Sequence, residues 1–259
     1  MEYKTFLLEK EGKILKVIFN NPEKLNALTD TFLQEFTDLL DKIDAGEVGD
    51  VQVVILTGAG KAFIAGADIT LMRTMSPAEA AEYSRVTTEV YRKMEASKKI
   101  FIAAINGFAF GGGFEMSLAC DLRVASAKAK MGLPEVSLGI FPGGGGTQRL
   151  PRLIGAAKAK ELIFTAKTIT ATQAYEMGIL NEVCEPDELE EKAKALAEAI
   201  LANSCSGVSL AKEAMNNGLQ SDIISAMNLE KNLFALCFRT DDQIEGMNAF
   251  VEKRKANFK

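Results

Sequence analysis

The chain has 259 residues, of which 47% are apolar and 25% charged, and this composition is typical of a globular protein. The formal net charge of −5 argues against a general binder of nucleic acids or of membrane surfaces. No histidine is present, which excludes His-dependent triads and H-E-x-x-H zinc sites, so acid–base chemistry must come from Asp, Glu, Lys, Tyr or Cys.

The first half of the chain alternates between strand-like and helix-like stretches. Strands are predicted over residues 14–19, 51–56, 101–105 and 122–125. After the first strand, Thr29 or Asp30 is placed to cap a helix, because apolar residues recur behind it at helical spacing. These apolar residues are Leu33, Phe36, Leu40 and Ile43. Strands separated by helices predict an α/β fold with largely parallel pairing.

The rest of the chain predicts mainly helices. From Thr147 onward the periodic segments are helical, with one interruption at residues 178–183, where a glycine stop precedes a short extended piece. Pro186 is then expected to open a helix. The apolar face of that helix is formed by Leu189, Ala193, Leu196 and Ile200. Further helices are predicted over residues 207–217, 221–236 and 242–255.

The first glycine-rich segment, residues 57–61, follows a predicted strand but does not form a nucleotide-binding motif. A Walker A motif would need glycine at position 55 and Ser or Thr at position 62, where the chain has Ile55 and Ala62. A dinucleotide fingerprint that starts at Gly58 would need Gly or Ala in place of Phe63. The sequence therefore predicts neither kind of nucleotide site.

The second glycine-rich segment, residues 106–116, lies between a predicted strand and a helix-compatible stretch. Bare glycines at a helix start expose N–H donors, and the helix dipole favours negative charge there. Such a site can hold a developing oxyanion. The segment is equally compatible with a tight turn in which Glu115 only complements the helix dipole, and the local sequence leaves both interpretations open.

A second glutamate, Glu135, follows Pro134 among apolar residues and precedes another glycine-rich segment at residues 139–149. Burial there would raise its pKa, whereas a glutamate in a loop is more often solvated or salt-bridged. Two carboxylates beside two oxyanion donors would make a working acid–base pair. Sequence spacing alone leaves open whether Glu115 and Glu135 meet.

Several segments, spread over essentially the whole chain and in a consistent order, resemble the enoyl-CoA hydratase (crotonase) family. They are residues 26–28, 62–69, the triple glycine 111–113 with Glu115, 134–135, 142–150 and 245–254. The resemblance implies a spiral of β-β-α turns over residues 1–190, which contains the active site. It also implies a C-terminal helical region over residues 191–259, which serves oligomerisation and completes part of the CoA cleft. The expected assembly is a homotrimer, or a homohexamer made of two trimers.

The same resemblance assigns roles to individual residues. The backbone N–H groups of Ala67 and Gly112 would form an oxyanion hole, and Glu115 and Glu135 would be the catalytic pair. Substrate and CoA contacts would come from Lys61, Ala65, Asp68, Ile69, Phe250 and Lys253. The basic end of the chain, including Lys253, is equally compatible with a solvated helix end that complements the dipole.

The reaction that the resemblance implies is reversible syn addition of water to a trans-2-enoyl-CoA, giving 3-hydroxyacyl-CoA, with a short, crotonyl-like acyl chain. Many relatives that isomerise, hydrolyse or decarboxylate lack one or both glutamates, so their joint presence favours hydration. No metal or separate cofactor is expected, because CoA is part of the substrate. The alternatives are an enoyl-CoA isomerase or a hydratase of a cyclic or branched acyl-CoA. An RNA-binding role is disfavoured by the acidic balance.

Three positions depart from the usual pattern of the family. Phe114 stands where short-chain members often have a small residue, and Leu133 where many have Gln. Both substitutions are expected to affect the pocket near the glutamates. Ile100 stands where Pro is usual, and this change is expected to concern backbone rigidity only.

The cysteines and the N-terminus predict a cytoplasmic protein. Four cysteines are present, too few for a disulfide framework and too widely spaced for a C-x-x-C site, so a reducing compartment is expected. The first residues lack the charged and then apolar stretch of a signal peptide. No run approaches the roughly 20 apolar residues of a membrane span.

Overall fold

The computed structural model describes residues 2–258, whose strands form two sheets. The strands are β1 (Phe6–Glu11), β2 (Ile14–Phe19), β3 (Val53–Gly58), β4 (Ala62–Ile64), β5 (Ile100–Ile105), β6 (Phe108–Phe110), β7 (Leu122–Ser126), β8 (Lys130–Gly132), β9 (Ile169–Thr170) and β10 (Glu182–Cys184).

Helices occupy most of the remaining chain. They are α1 (Asp30–Asp44), α2 (Ile69–Met72), α3 (Pro77–Ala96), α4 (Gly112–Ala119), α5 (Gly146–Ile154), α6 (Ala156–Phe164), α7 (Ala171–Glu176), α8 (Leu189–Leu201), α9 (Cys205–Gly218), α10 (Ile223–Cys237) and α11 (Asp241–Val251). Short 3-10 helices cover Pro22–Lys24 and Glu135–Leu138. No helix within residues 2–258 combines the length and the apolar character needed to cross a membrane.

The two sheets are built by successive β-β-α turns of the chain. The larger sheet has the order β1-β2-β3-β5-β7-β10 and the smaller one β4-β6-β8-β9. In the turns that begin with β3, β5 and β7, the first strand joins the larger sheet and the second joins the smaller sheet. Strands β4, β6 and β8 pair in parallel, so the loops that follow them leave the same edge of the smaller sheet. Those loops carry Ala67, Gly112 and Glu135.

The larger sheet is buried on both faces, because successive side chains along a strand point to opposite sides. One face contributes Val54, Leu56, Phe101 and Ala103 to the main core, and the other contributes Val53, Ile55, Ile102 and Ala104 to a second cluster with α8. Each fully buried Val, Leu, Ile or Phe side chain contributes about 1.5–3 kcal/mol. This sheet is therefore the rigid frame on which the loops of the smaller sheet are mounted.

The α/β architecture with largely parallel pairing, which the sequence predicts, is confirmed. Thr29 rather than Asp30 caps α1, since its Oγ1 accepts a hydrogen bond of 3.2 Å from the N–H of Phe32. The prediction that Pro186 opens a helix is wrong, because residues 186–188 form a turn and α8 begins at Leu189. The last helix ends at Val251, before the predicted residue 255.

The C-terminal helices are tied to the rest of the chain through a buried lysine. Lys212 of α9 is only 5% exposed, and its Nζ donates to the carbonyl groups of Met94 at 3.0 Å and Lys99 at 2.7 Å. It also pairs with Asp121 at 2.9 Å, which satisfies a buried charge that would otherwise be strongly destabilising. The division of the chain between residues 190 and 191 stays a prediction.

Candidate active site

The loops that follow β4, β6 and β8 converge on one place. A methyl group added to Gly111 would lie 3.7 Å from the Cα of Gly66 and 3.1 Å from Oε1 of Glu135. The ends of three separate strands therefore share one small volume. Sequence spacing left open whether Glu115 and Glu135 meet. The parallel order β4-β6-β8 brings Glu135 to Gly111, close enough to Glu115 for the two charges to interact.

Two backbone N–H groups in these loops, those of Ala67 and Gly112, donate no backbone hydrogen bond within the described residues. A parallel bridge pairs Leu28 with Ala67 through two hydrogen bonds. The N–H of Leu28 donates to the carbonyl of Gly66 at 2.9 Å, and the N–H of Asp68 donates to the carbonyl of Leu28 at 3.2 Å. The N–H of Ala67 takes no part in that bridge. Gly112 is the first residue of α4, where N–H groups have no intrahelical acceptor and the helix dipole is positive. Both groups are suited to stabilise a negatively charged oxygen.

Close packing of α4 against β4 fixes the position of Gly112. A methyl group added to Gly113 would lie 2.0 Å from the carbonyl oxygen of Ile64, so only glycine allows this approach. The hydroxyl of the fully buried Tyr91 donates a hydrogen bond of 2.7 Å to the carbonyl of Gly112. The start of α4 is thus held from the strand side and from α3.

Glu115 lies in the first turn of α4 and is only 2% exposed. Its Oε1 accepts hydrogen bonds from the N–H of Gly144 at 2.8 Å and of Gly146 at 2.7 Å. Burial raises the pKa of Glu115, while those two N–H groups and the guanidinium of Arg149 act in the opposite direction. The carboxylate also binds at the N-terminus of α5, so Glu115 does more than complement the dipole of its own helix.

Glu135 has a different environment. Its Oε2 is buried and accepts no hydrogen bond from the residues that the structure describes. Burial raises the pKa of Glu135 to about 7, and the nearby charge of Glu115 contributes in the same direction. A carboxyl group in this setting carries a proton more readily than a solvated one does. Glu135 forms no ion pair within the described residues and is half-buried, so the interpretation as a salt-bridged or fully solvated residue is wrong.

Arg149 connects this site to α3. Its guanidinium forms a two-pronged pair with Glu95, with Nε–Oε1 at 2.6 Å and Nη2–Oε2 at 2.8 Å. Its Nη1 donates to the carbonyl of Gly144 at 2.9 Å. The sequence-based reasoning assigned no role to Arg149, Glu95 or Tyr91. The available signals were the capping pattern of Ser76 and Glu79 that opens α3, and an arginine three residues after a glycine run.

The residues expected to contact CoA lie in two regions. Lys61 is exposed before β4, Ala65 is half-buried, and Ile69 is exposed at the start of α2. Asp68 caps α2, because its Oδ1 accepts from the N–H of Thr70 at 3.0 Å.

Phe250 and Lys253 lie at the other end of the chain. Phe250 is 86% exposed on α11, and Lys253 is exposed just beyond that helix. Within the described residues no hydrogen bond, ion pair or ring contact joins either of them to the glutamate site. The roles of all these residues, and the choice between a phosphate contact and a solvated helix end for Lys253, remain predictions.

The residues that depart from the family pattern are all buried. Leu133 lies against the loop that binds the Glu115 carboxylate, since a methyl group added to Gly146 would lie 2.9 Å from Cδ1 of Leu133. Phe114 is fully buried in the main core, and Ile100 begins β5. Leu133 therefore contacts the segment that holds Glu115, whereas Ile100 belongs to the sheet.

Comparison with known proteins gives a consistent result. The model of the family described as enoyl-CoA hydratase/isomerase matches residues 9–259. The chain is 47% identical to the crotonyl-CoA hydratase of Syntrophomonas wolfei, an alignment that covers 100% of this chain and 99% of the relative. It is also 47% identical to the short-chain-enoyl-CoA hydratase of Clostridium acetobutylicum, covering 98% of this chain and 97% of that one.

Solved structures agree with the sequence relatives. The crystal structure of an enoyl-CoA hydratase from Bacillus anthracis superposes with a TM-score of 0.94 at 41% identity, over 99% of both chains. This similarity confirms the fold that the sequence resemblance predicts.

Proposed function

The chain belongs to the enoyl-CoA hydratase/isomerase family, and on that basis we propose that it is a short-chain enoyl-CoA hydratase. It adds water reversibly to a trans-2-enoyl-CoA such as crotonyl-CoA and gives the 3-hydroxyacyl-CoA, a reaction of fatty acid β-oxidation. The observation that carries the proposal is the pairing of a buried glutamate, Glu115, with a half-buried one, Glu135, whose hydrogen bonding differs, beside the loops that carry Ala67 and Gly112.

Each group in the site has a distinct role in this reaction. Glu115 accepts a proton from water as the water oxygen bonds to C3, and the electrons of the C2=C3 bond move onto the thioester. The N–H groups of Ala67 and Gly112 stabilise the resulting enolate oxygen. Glu135 then delivers its proton to C2, so the pair begins and ends with one proton between its two members. No redox step occurs, and the proposal includes no metal or separate cofactor.

The different environments of the glutamates support this assignment. Two N–H donors and the positive charge of Arg149 favour the ionised form of Glu115, as a general base requires. Burial favours the protonated form of Glu135, whose Oε2 accepts no hydrogen bond within the described residues, and this outweighs the opposing effect of the residue's own backbone N–H. Carboxyl groups whose surroundings differ in this way commonly divide the roles of acid and base.

The direct test is the loss of the enoyl-thioester absorbance on addition of the protein to enoyl-CoA substrates of increasing chain length. The proposal expects the highest kcat/KM with crotonyl-CoA. Rearrangement of a 3-enoyl-CoA without hydration of crotonyl-CoA would instead assign the site to isomerisation. Absence of any reaction with either substrate would overturn the proposed function.

The pH dependence of hydration is expected to be bell-shaped, with its alkaline limb near pH 7. Hydration needs Glu135 protonated, and the pKa of Glu135 is raised to about 7, so the rate falls as pH rises through that value. The acid limb reports protonation of Glu115, whose pKa also lies above its ordinary value. Measurement of kcat/KM for crotonyl-CoA from about pH 5 to about pH 10 gives both limbs.

The same limbs are expected for dehydration, because the reaction releases no proton and its equilibrium constant is independent of pH. The apparent pKa values of the two limbs belong to the coupled pair of glutamates and not to either residue alone. Glu135→Gln should remove the alkaline limb of the hydration profile. A wild-type profile that stays flat above about pH 8 would contradict the role of Glu135 as proton donor.

Lys253 is proposed to contact the phosphates of CoA. Lys253→Ala is then expected to raise KM about 5-fold with little change in kcat, because an exposed charge contact is worth about 1 kcal/mol of uniform binding. Steady-state kinetics with crotonyl-CoA measures the effect, and Lys255→Ala is the matched control in the same tail. Equal KM values for the two variants would assign Lys253 to a solvated helix end.

The C-terminal helices are proposed to assemble the chain into a trimer or a hexamer. Large apolar side chains on α10 and α11 are exposed, among them Ile223, Ile224, Met227, Phe234 and Phe250. Several large apolar side chains exposed on two helices are typical of an interaction face. Light scattering at micromolar concentration is expected to give three or six chains, and Ile224→Glu is expected to lower that number. Lys128→Glu, an exposed charge reversal between β7 and β8, is the control, and a monomeric wild type would contradict the assembly.

Free thiols support a reducing compartment. Cys120, Cys184, Cys205 and Cys237 are all unpaired. We therefore include the cytoplasm as the site of action in this proposal.

A further inference from the structure

We infer that Glu95 and Arg149 are positioning residues for Glu115, and that Tyr91 on the same face of α3 holds the oxyanion donor Gly112 in register with it. The inference rests on the proposed function, because it concerns the base and the oxyanion donor of that reaction. None of the three side chains needs to touch the substrate.

The connection from α3 to Glu115 runs through one backbone segment, residues 143–146. The N–H groups of Gly144 and Gly146 hold Oε1 of Glu115 at 2.8 and 2.7 Å. Arg149 holds the carbonyl of the same Gly144 at 2.9 Å, which restrains this residue from its other side. Displacement of Arg149 would therefore free the N–H groups that orient the Glu115 carboxylate.

Glu95 fixes the guanidinium that performs this restraint. The paired side chains of Arg149 and Glu95 are 15% and 35% exposed, and two parallel hydrogen bonds hold them. Such a two-pronged pair specifies orientation as well as distance, which a single ammonium group cannot do. Arg149 is also a member of α5, whose first residue is Gly146. The pair thus sets the position of the whole helix start that Glu115 contacts.

Tyr91 joins the same arrangement to the oxyanion side. Tyr91 and Glu95 are four residues apart on α3 and so lie on one face of it. The Tyr91 hydroxyl donates to the carbonyl of Gly112 at 2.7 Å, and the guanidinium carbon of Arg149 lies 5.9 Å from the centroid of its ring. One helix face therefore sets the distance between the base and the oxyanion donor.

The charged surroundings of Glu115 allow a test that a purely structural role would not pass. Glu115 is faced by Glu135 from the 3-10 helix, by Tyr83 and Tyr91 from α3, and by Arg149 from α5. Arg149 is the cation among these groups, and it lowers the pKa of Glu115. A neutral residue at position 149 should therefore raise the pKa of Glu115 and move the acid limb of the rate profile to higher pH.

The experiment compares Arg149→Lys, Arg149→Gln and Glu95→Gln with Arg152→Gln on α5 and Glu89→Gln on α3 as exposed controls. We expect the first three to lower kcat for crotonyl-CoA about 10-fold or more, with smaller changes in KM. Arg149→Lys keeps the positive charge but loses the two parallel hydrogen bonds to Glu95. The hydration rate should therefore fall, while the acid limb of the pH profile shifts less than in Arg149→Gln. The losses of Glu95→Gln and Arg149→Lys should not multiply when combined, because both act on one contact.

An infrared titration of the protonated carboxyl band, referenced to the Glu115→Gln protein, gives the pKa of Glu115 without turnover. It should move upward in Arg149→Gln and stay in place in Arg152→Gln. Wild-type kcat together with an unmoved Glu115 titration in Arg149→Gln would overturn the inference. If Arg149→Gln does not fold, wild-type kcat in Glu95→Gln and Arg149→Lys would overturn it equally. A wild-type protein that does not hydrate crotonyl-CoA would defeat the proposed function, and the titration would still test the coupling of Arg149 to Glu115.

Discussion

Glu115→Gln and Glu135→Gln are each expected to lower the rate of crotonyl-CoA hydration by roughly 10²-fold or more, since general acid–base groups contribute about 10²–10⁴-fold. Glutamine keeps the size of the side chain and still accepts the hydrogen bonds that Gly144 and Gly146 donate to position 115. It does not exchange the proton that the reaction requires. Stopped-flow or steady-state assays measure the loss, and thermal unfolding establishes that the fold is retained.

The double variant should fall well short of the product of the two single losses. Both glutamates act on one water and one enolate, and residues that work as a unit are strongly non-additive. Glu47→Gln, on the exposed turn after α1, is the control for a neutralised carboxylate elsewhere. Hydration by either single variant at nearly the wild-type rate would show that the two-glutamate mechanism is wrong for this protein.

Gly144→Ala is expected to lower kcat about 10²-fold, as a misplacement of about 1 Å in a catalytic group does. The added methyl group would lie 2.6 Å from Oε2 and 3.0 Å from Cδ of Glu115, and 3.0 Å from a ring carbon of Tyr91. Tyr91 is fully buried, so either the carboxylate or the loop must move. Both movements separate Glu115 from the N–H groups that orient it.

Gly143→Ala is the matched control for this prediction. A methyl group at position 143 would lie 3.6 Å from Oγ of Ser84, an ordinary contact distance. Both variants add one methyl group to the same loop, so a difference in their kcat values reports the crowding of Glu115. Equal activity of Gly144→Ala and Gly143→Ala would contradict the account of how the loop holds Glu115.

Local patterns predict several of the larger elements because those elements are specified by neighbours in the sequence, although β1 and the long helix α3 are not among the predicted ones. The strand at residues 14–19 coincides with β2, and the periodic apolar residues behind Thr29 identify α1. Strands β4, β6 and β8 have only three residues each, which gives no readable alternation of apolar and polar residues. The sequence-based prediction misses them for this reason, although their ends carry the site.

The sequence by itself determined the available chemistry: a chain without histidine, two glutamates beside glycine-rich segments, and a resemblance that identifies them as a pair. Only the tertiary structure decided which environment each glutamate has. The N–H groups of Gly144 and Gly146 reach Glu115 across 29 and 31 positions, and Glu95 meets Arg149 across 54. No local pattern encodes such contacts, because they arise when parallel strands bring the ends of distant segments to one edge. Burial and hydrogen bonding at that edge then give the two glutamates different surroundings.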